Sequence, residues 1–293
     1  PSCEQILGWA REIRAALPEV PLCVTVGGKV PVAEQRELAK QLADLGVDIL
    51  QTEGQVGPES EDTFVALAGA VAALGNTREI RKVVRTNLKQ GADFIKTLGT
   101  GAVLSRGAPP GSQQYTEAEM RVAVEEAARW GKHVAAHLHG TDGIKAGIRA
   151  GVRTVDHGSI MDDEAVELLR THHSYFVPTL YTSESIAADA TVPEPEKVRS
   201  VQIKALKDKS FQMVLKAGLP IGFATDAAVV PHGQNGREFA YRVRLGQSAK
   251  DAILSATTIA AEILGWSDRV GSIEPGKFAD IIAVRGDPLR DIT

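Results

Sequence analysis

The sequence is poor in the residues that would mark a secreted, membrane-embedded or nucleic-acid-binding protein. Cysteine occurs only as Cys3 and Cys23 in 293 residues. Neither lies in a C-x-x-C or zinc-ribbon spacing, which argues against a disulfide framework and fits a reducing, cytosolic setting. Aromatic residues make up 5%, so a core must be built from aliphatic side chains. No window approaches the roughly 18 apolar residues of a membrane span. The opening stretch PSCEQILGWAREIRAAL has no basic region followed by an apolar one and does not read as a signal peptide. The net charge is −4 with no basic run, which argues against nucleic acid as a partner. No G-x-G-x-x-G dinucleotide fingerprint is present, and no histidine precedes His133.

Hydrophobic residues reach 43%, enough for a sizeable core. Strand-like runs at 21–26, 47–52, 92–98, 133–139, 152–158, 174–180 and 219–226 alternate with helix-like segments. Those helical segments lie at 4–17, 33–45, 61–74, 77–90, 116–130, 141–150, 162–171 and 195–217, followed by 236–244 and 248–264. Near-continuous apolar strands separated by helices predict a parallel sheet covered by helices. The repeated unit favours a TIM-type (βα)8 barrel over an open sheet. Seven strands are found; ADIIAV (279–284) supplies an eighth, or the barrel is incomplete.

Chemistry-bearing side chains fall at or near the C-terminal ends of four of these strands: Lys96, His137, His157 and Asp226. Parallel barrels open their active sites there, because the βα loops leave from that end. Two imidazoles and a carboxylate suit zinc or another divalent ion. An ammonium has no lone pair, but a desolvated lysine can lose its proton and take up carbon dioxide as an oxygen-donor carbamate. Taken singly, each residue has a plainer reading: a hydrogen-bonded structural histidine, a surface lysine, an aspartate capping a helix. Their recurrence at strand ends favours a site.

The stretch from GADFIKTLGTG through VAAHLHG to RTVDHGS, with FATDAAVVPHGQNGREF and GSIEPGKFADIIAVRGDPL, resembles the amidohydrolase superfamily. The closest subgroup is the imidazolonepropionase-like and Xaa-Pro dipeptidase-like one, and the resemblance spans about residues 78–291. It implies a metal-dependent hydrolase of C–N amide bonds in a dipeptide-like or cyclic-amide substrate. Lys96 would be a carboxylated bridging ligand, His137 and His157 the ligands of the outer ion, and Asp226 an inner ligand and general base. His139, Tyr181, His232 and Arg237 would contact the substrate, while His133 would be structural. Residues 1–75 resemble instead an uncharacterised (βα)8-barrel family of cyanobacteria and plastids, which suggests a chimera with a seam near Gly75-Asn76.

One departure from the family is plain. The His-x-His pair of its first barrel strand has no counterpart here, and only the tail of its accessory β-segment remains. Lys96, His137 and His157 then make up one set of three ligands, so about one zinc ion is expected rather than two. Segments 1–76 and 77–293 are expected to form a single barrel domain that acts on a small molecule, with a homo-oligomer as one open option for its assembly. The competing function is a catalytically silent, recombined barrel keeping remnant ligands.

Overall fold

The computed structural model describes residues 3–16, 23–27, 38, 41, 49–53, 77–105 and 108–292. The chain divides into two compact units, Pro1–Leu74 and Gly75–Thr293. In the first, helix α1 (Cys3–Ala16) buries Leu7 and Ala10, one turn apart. Strands β1 (Cys23–Gly27) and β2 (Ile49–Glu53) pair in parallel, with Cys23 opposite Ile49 and Gly27 opposite Glu53. Leu38 and Gln41 are helical; the rest of the helix expected at 33–45, and that expected at 61–74, lie outside the described residues.

The second unit is a run of βα units. Helix α2 (Thr77–Lys89) buries Ile80, Val84 and Leu88, the stripe of a 3.6-residue period. Strand β3 (Ile95–Leu98) leads to α3 (Glu117–Ala128), which begins with a capping box between Thr116 and Glu119. Strand β4 (Val134–Leu138) precedes α4 (Thr141–Ala150), which stops at Gly151 in the left-handed region, φ 96°. Strand β5 (Thr154–His157) and α5 (Asp163–His172), capped by Asp162, follow, then β6 (Tyr175–Val177). The strands β3, β4, β5 and β6 are parallel and adjacent in that order. Helix α2 packs on α3, α3 on α4 and α4 on α5 along the sheet. This is the TIM-type arrangement, with helices layered outside consecutive parallel strands.

Four expectations need correction. The strand expected at 219–226 is reduced to one parallel bridge, Phe176 to Ile221. Pro220 has no N–H to give a ladder and Gly222 has no side chain to pack. The tail 279–284 forms no strand; Ile281 and Ile282 are 61% and 85% exposed, and β-branched runs need a partner strand. The helix expected over 248–264 is two. Between them, Thr257 leaves helical geometry (ψ −90°) within the β-branched run Thr257-Thr258-Ile259. Finally, a short helix, α6 (Thr182–Ala188), precedes α7 (Glu194–Lys216). The remaining helices are α8 (Arg237–Arg244), α9 (Ala249–Ala256) and α10 (Thr258–Leu264).

Two contacts set the sheet against its helices. Leu138 is fully buried, and a Cβ added to Gly147 of α4 would lie 2.6 Å from its Cδ1. The helix thus rides close on β4 because it presents glycines there. Arg85 of α2 grips Glu126 of α3 through two hydrogen bonds, 2.6 and 3.0 Å. Leu138→Ala should cost about 2–5 kcal/mol of stability, read from urea unfolding, because α4 cannot collapse into the space without bending.

The hydrogen bonds from Arg85 hold the Glu126 carboxyl below the usual range, against the opposing effect of burial. A depressed carboxyl pKa contributes stability that is whole above its unfolded value, about 4.3, and is lost as pH falls through the folded value. Glu126→Gln should therefore lower the unfolding temperature at pH 7, and its gap from wild type should narrow as the pH drops below about 4.

Candidate active site

Register and pleat explain which side chains meet. In the ladders Leu98 lies opposite His137, His137 opposite Asp156, and Leu138 opposite His157. Leu138 points at α4, so its alternate neighbours His137 and His139 point to the other face of the sheet. Asp156 shares that face, and its carboxylate takes the Lys96 ammonium in an ion pair. His157, next in the strand, would normally point away. It adopts a left-handed backbone, φ 68°, and its ring lies 4.4 Å from that of His137. The His139 ring completes a trio, 4.6 Å from His137 and 4.9 Å from His157.

Each of these rings is buried, and two of them are held by hydroxyls from later in the chain. Thr179 Oγ1 sits 2.6 Å from His157 Nδ1, and Ser159 Oγ 2.7 Å from His139 Nδ1. Such partners fix a ring's orientation and leave Nε2 as its remaining nitrogen. His137 Nε2 is buried with no hydrogen-bond partner. Lys207 of α7, also buried, donates to Thr179 O and to Thr182 Oγ1, both at 2.7 Å. Ser210 on the same helix links to the Ser159 carbonyl at 2.8 Å and to the Met161 N–H at 2.9 Å. Helix α7 therefore supports the residues that hold both histidines.

Burial is the first cause of the electrostatics here. It pushes His137 and His157 well below the usual imidazole range and His139 down to about 3, with neighbouring positive groups adding to the effect. The rings are neutral at pH 7. Burial also lowers Lys207 to about 8. Asp226 follows the Ile221 bridge in a left-handed conformation, φ 54°. Its surface meets solvent, but protein surrounds it closely enough that desolvation raises its carboxyl pKa, opposed by Lys96 and Lys207.

The donor chemistry fits a divalent ion on one condition. Among the described residues no group of three or more His, Cys, Asp or Glu side chains is arranged to hold a metal ion. His137 and His157 offer two neutral imidazoles, one with an orphaned nitrogen. The third donor of the expected set is Lys96, which stands as an ammonium on Asp156 and donates no lone pair until carboxylated.

Of the residues expected to contact substrate, Tyr181 and Arg237 meet: Arg237 Nη1 donates to the Tyr181 hydroxyl at 2.8 Å, and the guanidinium lies 5.7 Å from the ring centre. His139 belongs to the histidine trio. His232 is exposed on the loop after Asp226 and hydrogen-bonds to none of them. His133 stacks on Phe94, as a structural residue would.

Asp156, Ser159, Thr179 and Lys207 are supporting residues that motif matching passes over. Lys207 had a signal: it falls at i+4 from Ile203 and i−4 from Phe211, inside the apolar stripe of α7. Asp156 and Ser159 flank His157 and Gly158 in DHGS, but nothing in their spacing sets them apart.

The sequence profile of the amidohydrolase family matches residues 11–293, and the chain belongs to that family. Ochratoxinase of Aspergillus niger is 35% identical over 230 residues, covering 77% of this chain and 47% of that protein. The crystal structure of a Xaa-Pro dipeptidase with bound methionine in the active site is 30% identical, with a TM-score of 0.73, over 93% of this chain and 81% of that one. A shorter likeness, 43% over 51 residues, joins 17% of this chain to 21% of the uncharacterized protein ycf23 of Cyanophora paradoxa. The chain spans about half the length of the curated ochratoxinase it matches.

If Thr179 orients His157, Thr179→Val should leave a buried ring nitrogen unpaired at a cost of about 1–3 kcal/mol in urea unfolding. Thr179→Ser should restore most of it, because the hydroxyl returns to the same place.

Proposed function

We propose that this chain is a metal-dependent hydrolase of C–N amide bonds, acting on a small dipeptide-like or cyclic-amide substrate, with a site weakened by the missing His-x-His pair. The observation that carries the reading is the meeting of His137 and His157, both buried and neutral, beside Lys96 and on the face shared with Asp156. Zinc is the ion we assign, about one per chain, held by His137, His157 and carboxylated Lys96. When bound, it would polarise the amide carbonyl and lower the pKa of attacking water.

The chain's own residues supply the rest. Asp226, with its raised carboxyl pKa, is suited to take the water's proton and pass it to the leaving nitrogen. Tyr181 and Arg237 would take a free carboxylate on the substrate, since Arg237 spends one N–H on Tyr181 and keeps others for an anion. The dipeptidase relative that holds methionine supports an amino-acid-like ligand. His139 and His232 would line the remaining contact. A single barrel built from segments 1–76 and 77–293, chimeric in origin, is our reading of the architecture. The division between Leu74 and Gly75 and the short ycf23 likeness support the chimeric origin alone. We place the protein in a reducing cytosol on its cysteine usage.

A second reading, a silent barrel, is favoured by one observation: Lys96 is engaged by Asp156, which opposes carboxylation. Zinc titration followed by calorimetry, with bicarbonate present, separates the two. The hydrolase reading expects about one ion, binding abolished in His157→Ala and largely kept in Asp226→Asn, with turnover lost in both. Absence of zinc binding by the wild type would establish the silent barrel instead.

A further inference from the structure

Glu238 lies in the first turn of α8 and is completely buried. Its carboxylate reaches across to the segment that follows β6. Oε2 accepts the backbone N–H of Tyr181 at 2.8 Å, and Oε1 accepts that of Leu180 at 3.2 Å. Oε1 also accepts the Nε–H of Arg242, one turn further along α8, at 2.8 Å. Arg242 is itself fully buried, so the two charges compensate each other inside the protein. The residue before Glu238 is Arg237, which holds the other end of Tyr181 through its hydroxyl. Tyr181 is thus fixed at its backbone and at its tip by adjacent residues of one helix.

We infer that Glu238 is a positioning residue for substrate recognition: by locking the Tyr181 backbone to α8 it sets the Tyr181–Arg237 pair at the spacing that receives a free carboxylate. The inference rests on the carboxylate reading of that pair given above. The segment's other end is anchored separately, because Lys207 holds the Thr179 carbonyl from α7. A change at Glu238 should therefore disturb Tyr181 and leave Thr179 and His157 in place.

The chemistry of the site picks the test. A glutamine has one acceptor oxygen and one donor NH2 where glutamate has two acceptors. In Glu238→Gln the oxygen belongs at the Oε1 position, which serves both Leu180 and Arg242. The NH2 then faces the Tyr181 N–H, donor against donor, and Tyr181 alone loses its anchor.

The measurement is the affinity of the whole chain for L-methionine and for L-methioninamide, which lacks the carboxylate. Zinc titration and thermal unfolding are run alongside. Wild type should prefer methionine by about tenfold or more, as expected for a charge-assisted contact. Glu238→Gln should reduce that preference to about threefold or less, while zinc binding is unchanged. A merely structural role would not move the ratio in a folded variant. Should Glu238→Gln not fold, the Glu238→Gln/Arg242→Met double variant, which buries no lone charge, is held to the same ratio.

A preference kept within twofold of wild type overturns the role of Glu238 and leaves the hydrolase reading standing. Absence of any preference, or of binding, in the wild type overturns the carboxylate reading and this inference with it, whatever zinc does. Failure of both variants to fold makes Glu238 a stability residue and overturns the inference.

Discussion

A strand that kept strict alternation would send Asp156 and His157 to opposite faces of the sheet, one into the mouth and one into the helical layer. The left-handed backbone at His157 breaks that alternation at the last residue of β5. Its consequence is a cluster: His157 meets His137 on the face where Asp156 meets Lys96. A non-glycine residue held at positive φ costs of order 1–3 kcal/mol and persists only where its surroundings over-determine it. Here the surroundings are Thr179 on the ring and, behind Thr179, the buried ammonium of Lys207. Asp226 shares the same kind of backbone. His157 and Asp226, two of four non-glycine residues at positive φ among the described residues, are ones to which the amidohydrolase resemblance assigns chemistry.

Electrostatically the mouth is a set of separated roles. Three neutral imidazoles occupy the driest part, where a charged ring would be costly. The charges sit around them: Lys96 against Asp156, Lys207 in its ring of oxygens, and Asp226 at the solvent-facing side. Helix α7 crosses behind this arrangement and reaches it through Lys207 and Ser210, so a long helix with mixed surface chemistry does much of the positioning. Helix α8 does the same for Tyr181 through Glu238.

Much of the fold was legible because buried parallel strands are written as continuous apolar runs and the helices between them carry caps. Thr116 with Glu119, Asp162 and Gly151 mark ends that local chemistry dictates. The 219–226 run misled because its apolar residues surround Pro220 and Gly222, which cannot sustain a ladder. ADIIAV misled because a strand pattern has no meaning without a neighbour to pair with. At the site, the meeting of His137 and His157 was legible from strand-end position, which follows from backbone direction alone, whereas Lys96 is the second of four residues in β3. Asp156 was not legible, since its partnership with Lys96 reaches from β5 to β3 across β4, a contact that no local pattern encodes. Thr179 and Glu238 were not, since their roles arise from contacts between distant segments that no local pattern encodes.

The crossing of Gly111 and Gly140 carries a mechanical consequence. A Cβ on Gly140 would fall 2.1 Å from the Gly111 carbonyl oxygen, so the two backbones touch with no side chain between them. Gly140 follows His139 directly and starts α4, while Gly111 belongs to the long connection after β3. Two main chains in such contact move as one rigid corner, because neither can shift without pushing the other. The C-terminal edge of the sheet is therefore stiff at β3 and β4. Adaptation to new substrates, whether by drift or by design, is steered toward the loop after Asp226, which carries its own length and exposed residues. Length changes between Gly101 and Gly111 remain tolerable only if they return the chain to that corner.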